Sequence, residues 1–230
     1  MSAQLEFTDR TGGVSAAPYD TLNLSAAVGD DPARVAANRS LLGARYPGRE
    51  LVWMEQVHGA GVEVVTPGHA GQLPATDGLV SASPGVVLAV CVADCVPLLM
   101  CDDGAGVVAA VHVGRAGMVA GVVAAAVAAM TGLAGRPERI RAELGPCIGP
   151  CCYEVPALLR AEVAAAVPGS AATTSRGSPS VDLRAGVCAQ LSGLGVGAVR
   201  VVGLCTYESP AHFSYRRDGQ TGRSAGLVSR

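Results

Sequence analysis

The chain has 230 residues, 50% of them hydrophobic and 16% charged, which excludes a disordered chain and leaves enough apolar material for one large domain with a real core. Lys and Arg together number 17 against 19 Asp and Glu, a net charge of −2, so no basic surface argues for a nucleic-acid partner. Every basic side chain is Arg, which excludes a Schiff-base lysine and a Walker phosphate loop.

In chain order, Met1-Ser2-Ala3-Gln4-Leu5-Glu6 carries neither a basic region nor an apolar run, which predicts no secretory leader and a cytoplasmic protein. Arg10-Thr11-Gly12-Gly13-Val14-Ser15 is a glycine turn whose N–H groups could cradle an anion, or a plain turn. Asp30-Asp31-Pro32 opens a helix, with Asp as cap and Pro in the first turn, running to about Arg45. Residues 51–57 and 62–66 are short apolar runs rich in β-branched residues and predict strands. Pro67-Gly68-His69-Ala70-Gly71 reads as a turn. Residues 86–92, 96–101 and 107–113 predict three more strands, the last two joined through Asp102-Asp103-Gly104 as a hairpin.

Residues 118–133 are uncharged and Ala-rich, which predicts a buried helix starting near Gly117. The run is too short and too weakly apolar for a membrane span. Residues 140–144 predict a strand, 156–166 and 183–194 helices, and 199–202 a late strand. Residues 168–179, rich in Ser, Thr, Ala and Gly, predict a flexible surface connection. Strands come in runs rather than alternating with helices, so the fold class is α+β with mixed sheets in a single domain, residues 1–230.

Eight Cys in a chain without a leader predict free thiols in a reducing compartment, and no Cys-x-x-Cys pair suggests a zinc ribbon or a redox motif. Of the four His, His69 lies in the turn just described. His58, in Gln56-Val57-His58-Gly59, and His112, before Gly114, fall at strand ends, as does Cys95 in Ala93-Asp94-Cys95-Val96-Pro97. If those strands are neighbours, one thiol and two imidazoles meet. Such a set suits a tetrahedral zinc with an open fourth position, or a Cys–His nucleophile pair. The plain alternative is a pair of hydrogen-bonded core histidines. Two further clusters stand out. Gly145-Pro146-Cys147-Ile148-Gly149-Pro150-Cys151-Cys152-Tyr153-Glu154 is either a pocket loop with a stacking tyrosine or a tight turn with buried thiols. Phe213-Ser214-Tyr215-Arg216-Arg217-Asp218-Gly219 is either an anion-binding fork or a salt-bridged surface turn.

These pieces, in this order, resemble the YfiH/laccase-domain family, also described as polyphenol oxidase-like. The resemblance starts with Thr8-Asp9-Arg10-Thr11-Gly12-Gly13-Val14-Ser15 and Leu22-Asn23-Leu24, and passes through Gly29-Asp30-Asp31, Asn38-Arg39 and Gln56-Val57-His58-Gly59. It continues with Asp77-Gly78-Leu79-Val80, Ala93-Asp94-Cys95-Val96-Pro97 and the run from Leu144 to Val155. It closes with Cys205-Thr206 and the run from Phe213 to Gly219, on to Thr221-Gly222-Arg223.

The resemblance implies a four-layer α/β/β/α sandwich with mixed sheets, and a zinc site of His58, Cys95 and His112. It implies chemistry on purine nucleosides: phosphorolysis of adenosine, inosine, guanosine and methylthioadenosine, and deamination of adenosine. Arg10 and Arg216 are then candidates for holding phosphate, Asn23, Gln56 and Tyr153 for contacting base or sugar, and Asp94 for orienting a ligand or moving a proton. The partners expected are the small nucleoside and phosphate, without nucleic acid or membrane, for a monomer or homodimer. Competing readings are a copper-dependent polyphenol oxidase, a metal-free thiol hydrolase using Cys95 and His112, a peptidoglycan-precursor editing factor, and a non-catalytic binding protein. Where the family reads His-Ala-Gly-Trp-Arg-Gly, this chain reads His112-Val113-Gly114-Arg115-Ala116-Gly117, with the Arg one place early.

Overall fold

A computed structural model describes residues 2–69 and 71–230; Met1, in the leader reading, and Ala70, in the turn reading, lie outside the described residues. The strands are β1 (Gln4–Phe7), β2 (Glu50–Met54), β3 (Val62–Val64), β4 (Gly71–Leu73), β5 (Gly78–Ser81), β6 (Val86–Val92), β7 (Val96–Asp102), β8 (Val107–Val113), β9 (Arg141–Leu144), β10 (Ala171–Thr173), β11 (Pro179–Val181), β12 (Ala198–Val201) and β13 (Ser224–Ser229). The helices are α1 (Pro32–Gly43), α2 (Arg115–Ala120), α3 (Val122–Gly132), α4 (Ala157–Ala166), α5 (Leu183–Gly193) and α6 (Tyr215–Asp218).

Two mixed sheets result. The first runs β1-β13-β6-β2-β4 and the second β12-β9-β7-β8-β5-β3. They pack face to face through β5–β8 and β13, with α1 outside the first sheet and α2, α3 and α5 outside the second. This is the α/β/β/α layering with mixed sheets that the resemblance implied.

The side-chain period of two along a strand explains the apolar runs. In β6, Val86, Leu88 and Val90 enter the layer between the sheets, while Val87 and Ala89 pack under α1. In β8, Val107, Ala109 and Val111 face the helices, while Val108 and Ala110 face the other sheet. Both faces of these strands are covered, so their sequences are continuous rather than alternating.

Several elements differ from the sequence reading. The first of the two early strands ends at Met54, so His58 sits in the following loop. The Ala-rich helix is broken at Gly121, whose φ of +90° closes α2 and starts α3. The expected flexible connection at 168–179 is largely a hairpin, β10 against β11, closed by Thr174 and Ser178 hydroxyls 2.7 Å apart. Strand β13, between β1 and β6, carries little sequence signal: Ser224-Ala225-Gly226 is weakly apolar, yet the whole strand is buried. Among the described residues, no helix is long and apolar enough to cross a membrane.

Candidate metal centre and cleft

The parity of β7 and β8 builds the site. Pro97 pairs with His112, and the positions that face the opposite sheet, Leu99 and Cys101 on β7 and Val108 and Ala110 on β8, share their face with His112. Cys95 continues that parity just before β7, in the short link where the chain crosses from the first sheet to the second. One step before β5, the backbone carbonyl of Asp77 accepts the His112 N–H at 2.7 Å. The loop after β2 then brings His58 over the same end of the hairpin.

His58, Cys95 and His112 therefore meet, with one donor atom from each and all of these within 4.8 Å of one another. His58 Nε2 is 3.8 Å from Cys95 Sγ, and the two imidazoles meet edge to face with centroids 4.7 Å apart. Asp77 organises the set. Its carboxylate, fully buried, accepts the backbone N–H groups of Val57, His58 and Gly59 at 3.2, 3.0 and 2.7 Å, and His112 Nδ1–H at 2.8 Å. That fixes the His112 tautomer and turns its Nε2 toward Cys95. Gly114 leaves the space: a Cβ there would meet His58 Cδ2 at 2.8 Å and Cys95 Sγ at 3.2 Å.

Burial opposes charge on Cys95, but the His112 and His58 rings outweigh it and bring the thiol down to about 6. Burial likewise opposes charge on His112, and the Cys95 thiolate with Asp77 outweighs it, carrying the imidazole up to about 9. Two imidazole nitrogens and a ready thiolate, supported by a carboxylate behind one ligand, fit zinc with a position left open. His58 and Asp94 both hold positive φ, 59° and 88°, beside the centre, a backbone conformation kept only where contacts hold it.

The centre lines a cleft of about 780 Å³. Its walls carry Arg39, Arg115, Arg216 and Arg223, none of which forms an ion pair among the described residues. The Arg216 guanidinium lies 4.9 Å from the Tyr153 ring centroid, with Nη1 on the Glu154 carbonyl at 2.6 Å. Burial, then the nearby Cys95 charge, raise the Tyr153 phenol. Gln56 also lines the cleft, its amide pinned both ways to the Cys91 backbone at 2.8 and 2.9 Å.

Asp94 lines the cleft as well, but both its oxygens are taken: Thr206 Oγ1 donates at 2.7 Å and the Arg216 backbone N–H at 2.6 Å. It ties the segment carrying Arg216 to the link carrying Cys95. Two of the residues read from the sequence are not among those lining the cleft. Arg10 pairs with Asp20 at 3.1 Å and stacks on Phe213. Asn23 is fully buried and accepts the Arg223 backbone N–H at 2.9 Å, so it reaches the cleft through Arg223. Arg115 and Ala116 both line the cleft, so the one-place displacement keeps the guanidinium on the cleft wall.

The sequence alone gives no role to Asp77, Arg39 or Arg223, nor to Tyr215, which also lines the cleft with the Arg223 guanidinium 5.7 Å from its ring centroid. For Asp77 a signal existed, a lone acid at the mouth of the buried run Gly78-Leu79-Val80. The arginines come from distant segments and carry no local mark.

Residues 4–230 match the family model described as multi-copper polyphenol oxidoreductase laccase. The chain belongs to that family. Within this laccase-like family it is 55% identical over 232 residues to a purine nucleoside phosphorylase of Streptomyces griseus, covering 99% of this chain and 94% of that one. It is 53% identical over 223 residues to a purine nucleoside phosphorylase of Mycobacterium tuberculosis, covering 96% and 89%. The fold superposes on the crystal structure of Bacillus licheniformis YfiH with a TM-score of 0.92 at 30% identity, covering 99% of this chain and 92% of that one.

Proposed function

We propose that this chain is a zinc-dependent purine nucleoside phosphorylase acting on adenosine, inosine, guanosine and methylthioadenosine, with adenosine deamination at the same centre. The observation that carries the reading is a metal-type ligand set on the wall of a cleft that also presents four arginines without ion-pair partners among the described residues. The relatives named purine nucleoside phosphorylase support it.

His58, Cys95 and His112 would hold the zinc ion, which would supply Lewis acidity at the wall of the cleft. The chain's own groups do the rest. Arg115 and Arg216 hold phosphate through their planar forks. A phosphate oxygen then bonds to the ribose carbon as the bond to the purine nitrogen breaks, its electron pair leaving with the base. Tyr153, beneath the Arg216 guanidinium, and Gln56, held by the Cys91 backbone, line the cleft where base and sugar would lie. Asp94 keeps Arg216 beside the metal ligands.

Two imidazoles and a thiolate accept copper as well as zinc. We assign zinc because a laccase needs several coppers in a histidine-rich set. Here His69 is engaged with Thr66 and His212 with Ser209, and neither belongs to a ligand cluster among the described residues.

The test is product analysis after incubation with adenosine, with and without phosphate. Adenine release that requires phosphate, inosine formation that does not, and loss of both in Cys95→Ser are expected. Adenine release indifferent to phosphate, or full activity in the Cys95→Ser protein, refutes the reading.

A further inference from the structure

The loop after β9 and the segment after β12 gather a second set of soft ligands that the cleft does not use. Cys151 Sγ lies 3.9 Å from Cys205 Sγ and 3.4 Å from Cys152 Sγ. With a carboxylate oxygen of Glu208, the four donor atoms all lie within 4.8 Å of one another. Thiolates bound tetrahedrally to zinc at about 2.3 Å stand about 3.8 Å apart, so these separations are already near those of a ligand shell.

The surroundings are shaped for sulfur. The Gly149 N–H donates to Cys205 Sγ at 3.1 Å, and a Cβ on Gly149 would meet Cys151 Sγ at 3.0 Å and Cys205 Sγ at 3.4 Å. Arg184 donates from Nε to the Sγ of neighbouring Cys147 at 3.0 Å and brings positive charge to the same corner. A disulfide between Cys151 and Cys205 would leave Cys152 and Glu208 unexplained; one ion uses all four.

We infer that Cys151, Cys152, Cys205 and Glu208 form a second, closed site for a thiophilic divalent cation of the zinc class. Three thiolates and a carboxylate fill a tetrahedral shell and leave no position for substrate, so this site is structural. Its place in the chain gives it a task. Cys152 adjoins Tyr153, and Cys205 adjoins Thr206, which donates to Asp94. The ion ties together the two segments that carry Tyr153 and Arg216 into the cleft.

The experiment uses the full chain, stripped of metal under anaerobic reducing conditions and titrated with Cd²⁺. Binding is read by elemental analysis and by thiolate-to-cadmium ultraviolet absorption. The wild-type chain is expected to bind two ions. Cys95→Ser should bind one, keeping most of the absorption, because the three-sulfur set is intact. Cys205→Ser should bind one, with most of the absorption gone. Glu208→Gln, at an exposed position, should bind the second ion at least about tenfold more weakly. A Cys95→Ser chain that binds no cadmium overturns the inference without any change to the cluster itself. So does a Cys205→Ser chain, folded by circular dichroism, that still binds two ions, an unchanged affinity in Glu208→Gln, or a Cys151–Cys205 disulfide in protein never exposed to air.

Discussion

Asp77 makes no use of the cleft, yet it sets how two of the three metal-type ligands are presented. One buried carboxylate takes three N–H groups of the His58 loop and the ring N–H of His112. Those bonds favour its charged form against the cost of burial, and hold its carboxyl below the usual range. Asp77→Asn keeps the size but puts an N–H where an acceptor is needed. Metal affinity at the histidine–cysteine centre should fall about 10- to 100-fold, as for other outer partners of ligating histidines. Zinc competition titration, in a Cys205→Ser background that leaves only this centre, measures it; unchanged affinity in a folded variant would remove Asp77 from the site. At this scale the sequence was readable where ligands ended apolar runs. It did not show which residues act through another: Asn23, expected at base or sugar, is buried outside the cleft lining and accepts the Arg223 backbone N–H.

Helix α2 is only six residues long, and its first residue is Arg115. Gly121 ends it, so the helix is a short mount for that guanidinium rather than part of one long buried rod. The sequence concealed this because Gly121 is flanked by Ala120 and Val122, with no polar residue beside it to mark a break. It also concealed β13, whose faces are covered by the second sheet on one side and by the cluster of Leu22, Leu24 and Leu42 on the other. The long apolar runs were legible because both of their faces are covered. With Arg115 on the cleft wall, Arg115→Ala should raise the KM for phosphate by about tenfold or more, the worth of one charge-assisted contact, with little change in the KM for adenosine. Adding Ala116→Arg, also on the wall, should recover part of the loss. Equal phosphate dependence in all three proteins would show that Arg115 does not hold the anion.

Across the whole molecule, buried thiols make stability sensitive to alkali. Burial pushes Cys101 and Cys147 from 9.0 up to about 11. An unfolded thiol loses its proton near 9, while the folded one keeps it until about 11. Between those values the unfolded chain binds fewer protons, so stability falls as pH rises. Each thiol accounts for roughly 2–3 kcal/mol of that loss, both being fully buried. The urea midpoint should drop between pH 9 and 11, and the drop should shrink in the Cys101→Ala, Cys147→Ala double variant. The same slope in both proteins would assign the loss to other groups.

The placement of His112 in β8, a strand shielded on both faces and hydrogen-bonded on both edges, sets a clock as well as a geometry. Backbone amides there trade hydrogen for deuterium only when the protein opens globally, whereas the exposed edge strand β12 opens locally. Exchange in deuterated water should therefore be slowest along β7 and β8 and fastest along β12, before any ion is added. Such a pattern would mean that His112 is held in advance at the least mobile point of the chain. Fast exchange through 107–113 would instead mean that the centre is shaped only when something binds.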